Sequence, residues 1–429
     1  MRSFYYNGVM GLLYSLLWRL ALPGVFAYLV WRARRQPEYL RHWPERLGFV
    51  PSTKAAPIWI HAVSVGETRA ATPLVEALLA QGQRLLMTHT TPTGRATGEA
   101  LYGDRVTRCY LPYDTPGAVS RFLAKTQPCL GIFMETEIWP NLYANAARRN
   151  IPLLLINARM SASSARGYAR LGRLTRETLA SLAAVGAQTA ADAQRLQDLG
   201  APSVSVTGNL KFEVAPPADI DARVAALRAL LPGDRPVWLC ASTREGEEDL
   251  LLDAWAAIPK PAPLLVIVPR HPQRFDAVES MIRARKLQMQ RRSTRQPVAP
   301  ETQVWLGDSM GELAAWYRVA DFAFVGGSLL PLGGQNLIEA AAAGCPVLMG
   351  PHTFNFRQAA ADAVTAGAAR RVADVPELTA AVCRLSADSG MRQRMAQAGL
   401  DFAAAHRGAT LRTLALIAAM RRVEPGPNH

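Results

Sequence analysis

Asp321-Phe322-Ala323-Phe324-Val325 leads without a break into Gly326-Gly327-Ser328-Leu329-Leu330-Pro331-Leu332-Gly333-Gly334-Gln335-Asn336-Leu337-Ile338-Glu339. The first five residues read as a buried strand, and Asn336 to Ala343 reads as the opening of a helix. A strand, a glycine-rich turn and a helix start together make a place for an anion. Glycine lets backbone N–H groups approach with no side chain in the way, and a helix N-terminus is positively polarised. Glu339 falls in the first helical turn. A carboxylate there suits a ribose diol better than a phosphate. The stretch therefore predicts a nucleotide site at the carboxyl end of a strand in a parallel α/β sheet.

The same alternation extends in both directions. From Pro57 onward, strand-like apolar runs cover Ile58–His61, Leu85–Thr88, Val106–Leu111, Leu130–Met134, Leu153–Asn157, Val185–Gln188 and Val204–Thr207. Helix-like segments such as Ala70–Ala80 and Pro140–Arg149 separate them, as in a βαβ series. Val214-Ala215-Pro216-Pro217-Ala218-Asp219 reads as a linker. A second series follows, with strand-like runs at Val237–Ala241, Leu264–Val268, Val304–Leu306, Asp321–Val325 and Pro346–Met349. From Val375 the chain is alanine-rich and helical. The pattern predicts two doubly wound α/β domains with the main cleft between them.

The chain has 429 residues, 49% of them hydrophobic, which is enough for two cores. Its net charge of +14 favours anionic partners such as acidic lipid or phosphorylated substrates. Nucleic acid is not expected, because basic and aromatic residues are not interleaved. The five cysteines, at 109, 129, 240, 345 and 383, show no CxxC pair and no histidines at metal spacing. They read as small buried hydrophobes, and no metal site is expected.

Val9 to Trp31 is apolar apart from a few breaks, chiefly Arg19 and Pro23. Its length is close to the roughly 20 residues of a spanning helix. Arg19 would cost about 2.5–3.5 kcal/mol at the bilayer centre, which the many leucines and aromatics offset. Trp18, Tyr28 and Trp31 suit a headgroup region, and Arg32, Arg34, Arg35, Arg41 and Arg46 follow. The segment predicts a membrane anchor, spanning or lying in the interface, in preference to a buried core helix, with the rest of the chain on the cytoplasmic face. A cleaved signal peptide fits poorly, since the apolar part is long and no small-residue cleavage site follows.

Polar motifs recur where strands end. His61-Ala62-Val63-Ser64-Val65-Gly66-Glu67 offers Glu67 either as a helix-start carboxylate or as a general base. Glu135-Thr136-Glu137-Ile138-Trp139-Pro140-Asn141 places two carboxylates before a proline-started helix, on one side if the strand continues through them. Lys211, in Thr207-Gly208-Asn209-Leu210-Lys211-Phe212, could reach an anion. Ala241–Glu248 repeats the strand, polar turn and helix logic. In Val268-Pro269-Arg270-His271-Pro272, Arg270 is held between prolines and suits a phosphate or a base edge. Gly307-Asp308-Ser309-Met310-Gly311-Glu312-Leu313 could hold a nucleobase by its backbone. His89 and His352 read as local hydrogen-bonding residues. No Ser-His-Asp spacing, Walker loop or GxGxxG turn is present.

Taken in order, these motifs, together with Asn157-Ala158-Arg159-Met160-Ser161 and the apolar first segment, resemble the 3-deoxy-D-manno-octulosonic acid (Kdo) transferases of Gram-negative lipopolysaccharide assembly. The resemblance covers nearly the whole chain. It implies a GT-B glycosyltransferase fold of two Rossmann-like domains, plus an N-terminal anchor helix. It divides the chain into an anchor at 1–35, an acceptor domain at 36–213 and a CMP-sugar-binding domain at 219–429, the last helix being free to cross back. The donor would be CMP-Kdo and the acceptor lipid IVA, at the cell inner membrane. Transfer would invert the anomeric centre, with no cofactor and no active-site metal. Glu67 matches the proton acceptor, and Glu137 and Lys211 match transition-state stabilisers. Pro269, Arg270, Met310, Gly311, Glu312, Asn336, Leu337, Ile338 and Glu339 match the CMP-binding segments. Some relatives carry Asn-Pro-Leu-Glu where this chain has Asn336-Leu337-Ile338-Glu339. The proline only pre-sets φ, so its loss leaves the helix start intact. Two alternatives stand beside this reading: another GT-B transferase using a UDP-sugar and a lipid-linked acceptor, and a nucleotide-binding protein without catalysis.

Overall fold

The computed structural model describes residues 9–53, 56–213, 216–233 and 235–421. Of the expected linker, 214 and 215 lie outside the described residues, as do 1–8 of the expected anchor. Two compact units form: residues 1–214 with 407–429, and residues 215–406.

A parallel strand covered on both faces needs a continuous apolar run, and the first unit has seven strands, the central ones fully buried and the two at the edges partly exposed. They are β1 (Ile58–His61), β2 (Leu85–His89), β3 (Thr107–Tyr110), β4 (Leu130–Met134), β5 (Leu153–Ala158), β6 (Ala184–Ala187) and β7 (Val204–Val206). Their order in the sheet is β3-β2-β1-β4-β5-β6-β7, all parallel. The sequence of strands reverses direction between β1 and β4. Loops leaving the carboxyl ends of these two neighbours diverge to opposite faces and open a crevice there. Trp59 and Phe133 fill one face of the sheet and Ile60 and Ile132 the other, all fully buried. Each such side chain contributes about 1.5–3 kcal/mol by leaving water.

The second unit repeats the scheme with β8 (Val237–Thr243), β9 (Leu264–Pro269), β10 (Met289–Arg291), β11 (Val304–Leu306), β12 (Phe322–Val325), β13 (Val347–Met349) and β14 (Ala369–Arg371). The order is β10-β11-β9-β8-β12-β13-β14, again parallel, and the reversal lies between β8 and β12. All the strand-like runs appear as strands with small shifts at their ends. The outer strands β10 and β14 were not expected. Each is three residues long and carries polar side chains, Met-Gln-Arg and Ala-Arg-Arg, so neither shows the apolar run that marks a central strand. The helix expected over Asn336–Ala343 is shorter, Ile338–Ala342. The helix expected over Ala70–Ala80 is two, Val65–Ala70 and Thr72–Ala80, the second opened by Pro73.

The expected boundary at 213/219 compares with 214/215 in the structure, and residues 407–429 group with the first unit. The helix Ala409–Arg421 is held there at its start. Thr410 N–H donates to Glu213 (2.9 Å), the Arg412 guanidinium donates to the Thr207 carbonyl (2.9 Å), and Ile417 is buried.

Residues Val9–Ala33 form one helix, α1, of 25 residues. Its window Met10–Ala33 is long and apolar enough to cross a membrane. Gly11, Tyr14, Ser15, Trp18, Leu22, Val25, Phe26, Leu29 and Ala33 are its buried or half-buried residues, and their spacing of three and four marks one face. That face lies on the first unit. Phe26 packs edge-on against Trp43 and Tyr113, and Trp18 stacks on Tyr113. Leu12, Leu13, Leu16, Leu17 and Leu20 stand exposed on the remainder.

Candidate active site

In the first unit the charged motifs gather at the reversal between β1 and β4. The backbone after β1 turns at Ser64, whose hydroxyl caps the helix Val65–Ala70. Glu67 is the third residue of that helix and reaches back: its carboxylate accepts from Val63 N–H (2.9 Å) and from the Ser64 hydroxyl (3.1 Å). Ser64-Val65-Gly66-Glu67 thus forms a variant of the capping box. The carboxyl is also half-buried, and this loss of water pushes its pKa up to about 7, with the charges of Glu135 and Glu137 adding to the shift and the Val63 and Ser64 hydrogen bonds opposing it. Glu67 is thus a helix-start carboxylate, as one of its two expected readings had it, with a raised pKa.

β4 stops at Met134, and Glu135 takes a left-handed backbone, φ 59°. The strand does not run on through Glu137, so the expected alternation does not set where the two carboxylates point. Glu135 pairs with the Lys211 ammonium at 2.8 Å. The Glu137 carboxylate lies 3.6 Å from Nε2 of the fully buried His61 and accepts from the Trp139 indole N–H at 2.9 Å. Its backbone carbonyl accepts from the Tyr143 hydroxyl. Lys211 arrives from β7 on a short 3-10 turn, Leu210–Glu213. Asn157, left-handed at the end of β5, fixes that turn by accepting from Leu210 N–H at 3.0 Å. A left-handed residue other than glycine costs energy, and two of them at neighbouring strand ends mark a site the fold holds under constraint.

The second unit brings the other predicted residues to the carboxyl ends of β9, β11 and β12. Arg270, exposed, follows Pro269, and its N–H donates to the Thr243 carbonyl at 3.0 Å. Met310 is 57% exposed beside Gly311, which has φ 80°. The Glu312 carboxylate is held by Arg292 at 2.9 Å and by the Ser309 hydroxyl. Asn336 spans the start of the short helix: its Oδ1 accepts from Ile338 N–H (3.0 Å) and its Nδ2 donates to Glu339 (2.9 Å). Leu337 and Ile338 are buried, so any contact they make with a ligand runs through the backbone.

The glycine-rich turn is engaged within the protein. Its N–H groups already have an anion. The buried carboxylate of Glu247 accepts from Gly327 (2.5 Å), Ser328 (2.9 Å), Leu329 (3.0 Å) and Arg244 (3.1 Å). The glycine at 326 serves close packing of backbone: a Cβ there would stand 2.5 Å from the Ser242 carbonyl oxygen, Ser242 being left-handed at a bulge in β8. The expectation of an anion site formed by the whole turn and helix start is therefore narrowed: the N–H groups of Gly327, Ser328 and Leu329 hold Glu247, and the start of the helix at Asn336 to Glu339 is the part that remains. Glu247 lay within the Ala241–Glu248 motif, yet nothing local assigns it to a loop some eighty residues further on. Asp114, buried and bound to the first-turn N–H groups of the helix Pro140–Arg148, carried no sequence signal beyond following β3.

The architecture of two parallel Rossmann-like sheets recurs in solved structures. A glycosyltransferase from Rickettsia africae ESF-5 matches with TM-score 0.59 at 14% identity, over 87% of this chain and all of that one. UDP-GlcNAc 2-epimerase from Neisseria meningitidis matches with TM-score 0.57 at 15% identity, over 85% of this chain and all of that one. The class is the GT-B glycosyltransferase fold. Sequence comparison narrows it. The chain is 47% identical over 418 residues to the 3-deoxy-D-manno-octulosonic acid transferase of Bordetella pertussis, covering 94% of this chain and 97% of the relative. It is 38% identical over 414 residues to that of Haemophilus influenzae, again 94% and 97%. The family model for 3-Deoxy-D-manno-octulosonic-acid transferase (kdotransferase) matches residues 41–214. This chain belongs to the 3-deoxy-D-manno-octulosonic acid transferase family.

Proposed function

We propose that the chain transfers Kdo from CMP-Kdo to lipid IVA on the cytoplasmic face of the inner membrane, with Glu67 as the base. The observation that carries the reading is the half-buried Glu67 carboxyl, held by Val63 and Ser64 at the β1/β4 reversal, where the nearby charges of Glu135 and Glu137 help push its pKa up to about 7. A base works best when its pKa lies near the working pH, because it is then ionised yet still holds a proton well. In the transfer, a hydroxyl of the acceptor gives its proton to Glu67 as its oxygen bonds to the anomeric carbon. The bond to the CMP phosphate breaks on the opposite face, and CMP leaves with the electron pair.

Lys211 and Glu137 act on the charge that develops. Lys211 brings a cation to the site, and Glu135 holds it in place. Glu137 is oriented by Trp139 and by His61. In the other unit, Pro269 and Arg270, Met310 to Glu312 and Asn336 to Glu339 bind CMP. Arg270 suits the phosphate, the exposed Met310 offers an apolar face to the base, and Glu339, oriented by Asn336, reads the ribose. The exposed leucines of α1 enter the membrane, and the arginines that follow α1 favour anionic lipid.

The test is Glu67→Gln in the full chain, in detergent, with CMP-Kdo and lipid IVA. Transfer is expected to fall by roughly 10²-fold or more, as for loss of a general base, while CMP still raises the melting temperature. Undiminished transfer rejects the base. A larger thermal shift with UDP than with CMP rejects the donor.

A further inference from the structure

The inner face of α1 is more polar than an anchor requires. An anchor needs apolar surface toward lipid, and a polar group turned toward protein costs energy unless it is paired. Three residues of this face are paired, and all lead to the same place. The Tyr14 hydroxyl donates to the Asp114 carboxylate (2.9 Å) and accepts from the Trp18 indole N–H (2.8 Å). Asp114 is fully buried and receives the first-turn N–H groups of the helix Pro140–Arg148, Asn141 at 3.0 Å and Leu142 at 2.7 Å. Its backbone carbonyl accepts from the Asn141 side chain at 2.6 Å, whose Oδ1 accepts from the Ser15 hydroxyl at 2.8 Å. Trp18 packs against Trp139, ring centroids 6.5 Å apart, and Trp139 is the residue that donates to Glu137.

We propose that α1 is a positioning element of the transfer reaction: Tyr14, Ser15 and Trp18 fix the start of the helix Pro140–Arg148 and, through Trp139, the side chain of Glu137. The inference rests on the reading of Glu137 as a catalytic group. Trp139 at the N-cap has no side-chain oxygen to accept the first-turn N–H groups, so that helix has no side-chain cap of its own, and Pro140 at the first position brings no N–H. Asp114 supplies the missing acceptors from a distant loop, and α1 closes over Asp114. The apolar outer face of α1 meets lipid while its inner face sets the geometry of the site. Membrane docking and chemistry therefore share one helix.

Trp18→Leu and Tyr14→Phe in the full chain test this, assayed in detergent with CMP-Kdo and lipid IVA. The expected result is a kcat lowered roughly tenfold or more, the scale set by small misplacements of a catalytic group. KM for CMP-Kdo and sedimentation with anionic phospholipid vesicles stay at the parent values, and Trp18→Phe, which keeps a ring against Trp139, recovers most of the loss. Parent kcat in both variants overturns the proposal, as does a loss that saturating acceptor removes or one matched by loss of vesicle binding. If Trp18→Leu fails to fold by circular dichroism, Tyr14→Phe, a single-atom change, decides. Glu137→Gln separates the two levels. Full activity there overturns the underlying reading, whereas an inactive Glu137→Gln beside unaffected Tyr14 and Trp18 variants overturns the positioning role alone.

Discussion

Glu67 carries two costs of its setting that can be measured apart. The first is kinetic. A base with a pKa of about 7 should give kcat/KM an acid limb that rises through that pH and then levels. Glu135→Gln removes a negative charge that raises the pKa and also releases Lys211 from its ion pair, so both changes favour the ionised base. The limb should move to lower pH, and a pH–rate profile that stays in place would contradict the coupling. The second cost is in stability. The folded chain holds the Glu67 proton up to about pH 7, against an ordinary value of 4.5. The associated stability is complete below 4.5, is lost as pH rises through 7, and stays lost above it. Glu67→Gln keeps an acceptor for Val63 and removes the titration. It should be more stable than the parent at pH 8 by on the order of 1–3 kcal/mol, with no gain near pH 4, by chemical denaturation. That Glu67 stands at a helix start was legible in the sequence because a strand, a turn and a helix start are local features. The burial was not, since the carboxylates that crowd Glu67 come from the far side of the sheet reversal, which only the strand order reveals.

Among the elements, the turn Gly327–Leu329 shows how a motif can be right in place and wrong in detail. Glycines after a strand do mark the reversal point of the second sheet, but the backbone N–H groups there bind a side chain of the same protein. Glu247→Ala strands several buried donors together, each costing about 1–3 kcal/mol, so a loss of roughly 3 kcal/mol or more is expected in urea denaturation. Glu247→Gln keeps acceptors for part of the set and should lose less. Equal stability of all three chains would show that the turn rearranges without cost. Central strands were readable from apolar runs alone. The outer strands β10 and β14 were not, because their membership depends on a neighbour's free edge and leaves no period in their own residues.

For the molecule as a whole, the proposed reading has a charge of +14 and an apolar first helix acting together on an anionic bilayer. Removing residues 1–33 should release the protein from anionic vesicles only in part at low salt and fully at high salt, since screening weakens the remaining basic contacts. Retention at high salt in sedimentation would mean that other apolar surface holds it. A chain ending at residue 406 should lose stability in the first unit and keep it in the second, because Thr410 and Arg412 hydrogen-bond to Glu213 and Thr207 of the first unit and Ile417 is buried in its core. Limited proteolysis with and without CMP would read this, the second unit staying protected by the nucleotide. That return of the chain was left open by the sequence, where an alanine-rich helix shows no face strong enough to say what it covers.

The occupied turn also bears on inhibitor chemistry. A phosphate surrogate aimed at Gly327 to Leu329, the natural target in an α/β nucleotide fold, would have to evict a buried carboxylate of its own sign. Compounds that direct their anionic group toward the exposed Arg270 avoid that contest. For the turn itself, a neutral group that leaves Glu247 undisturbed is the better choice.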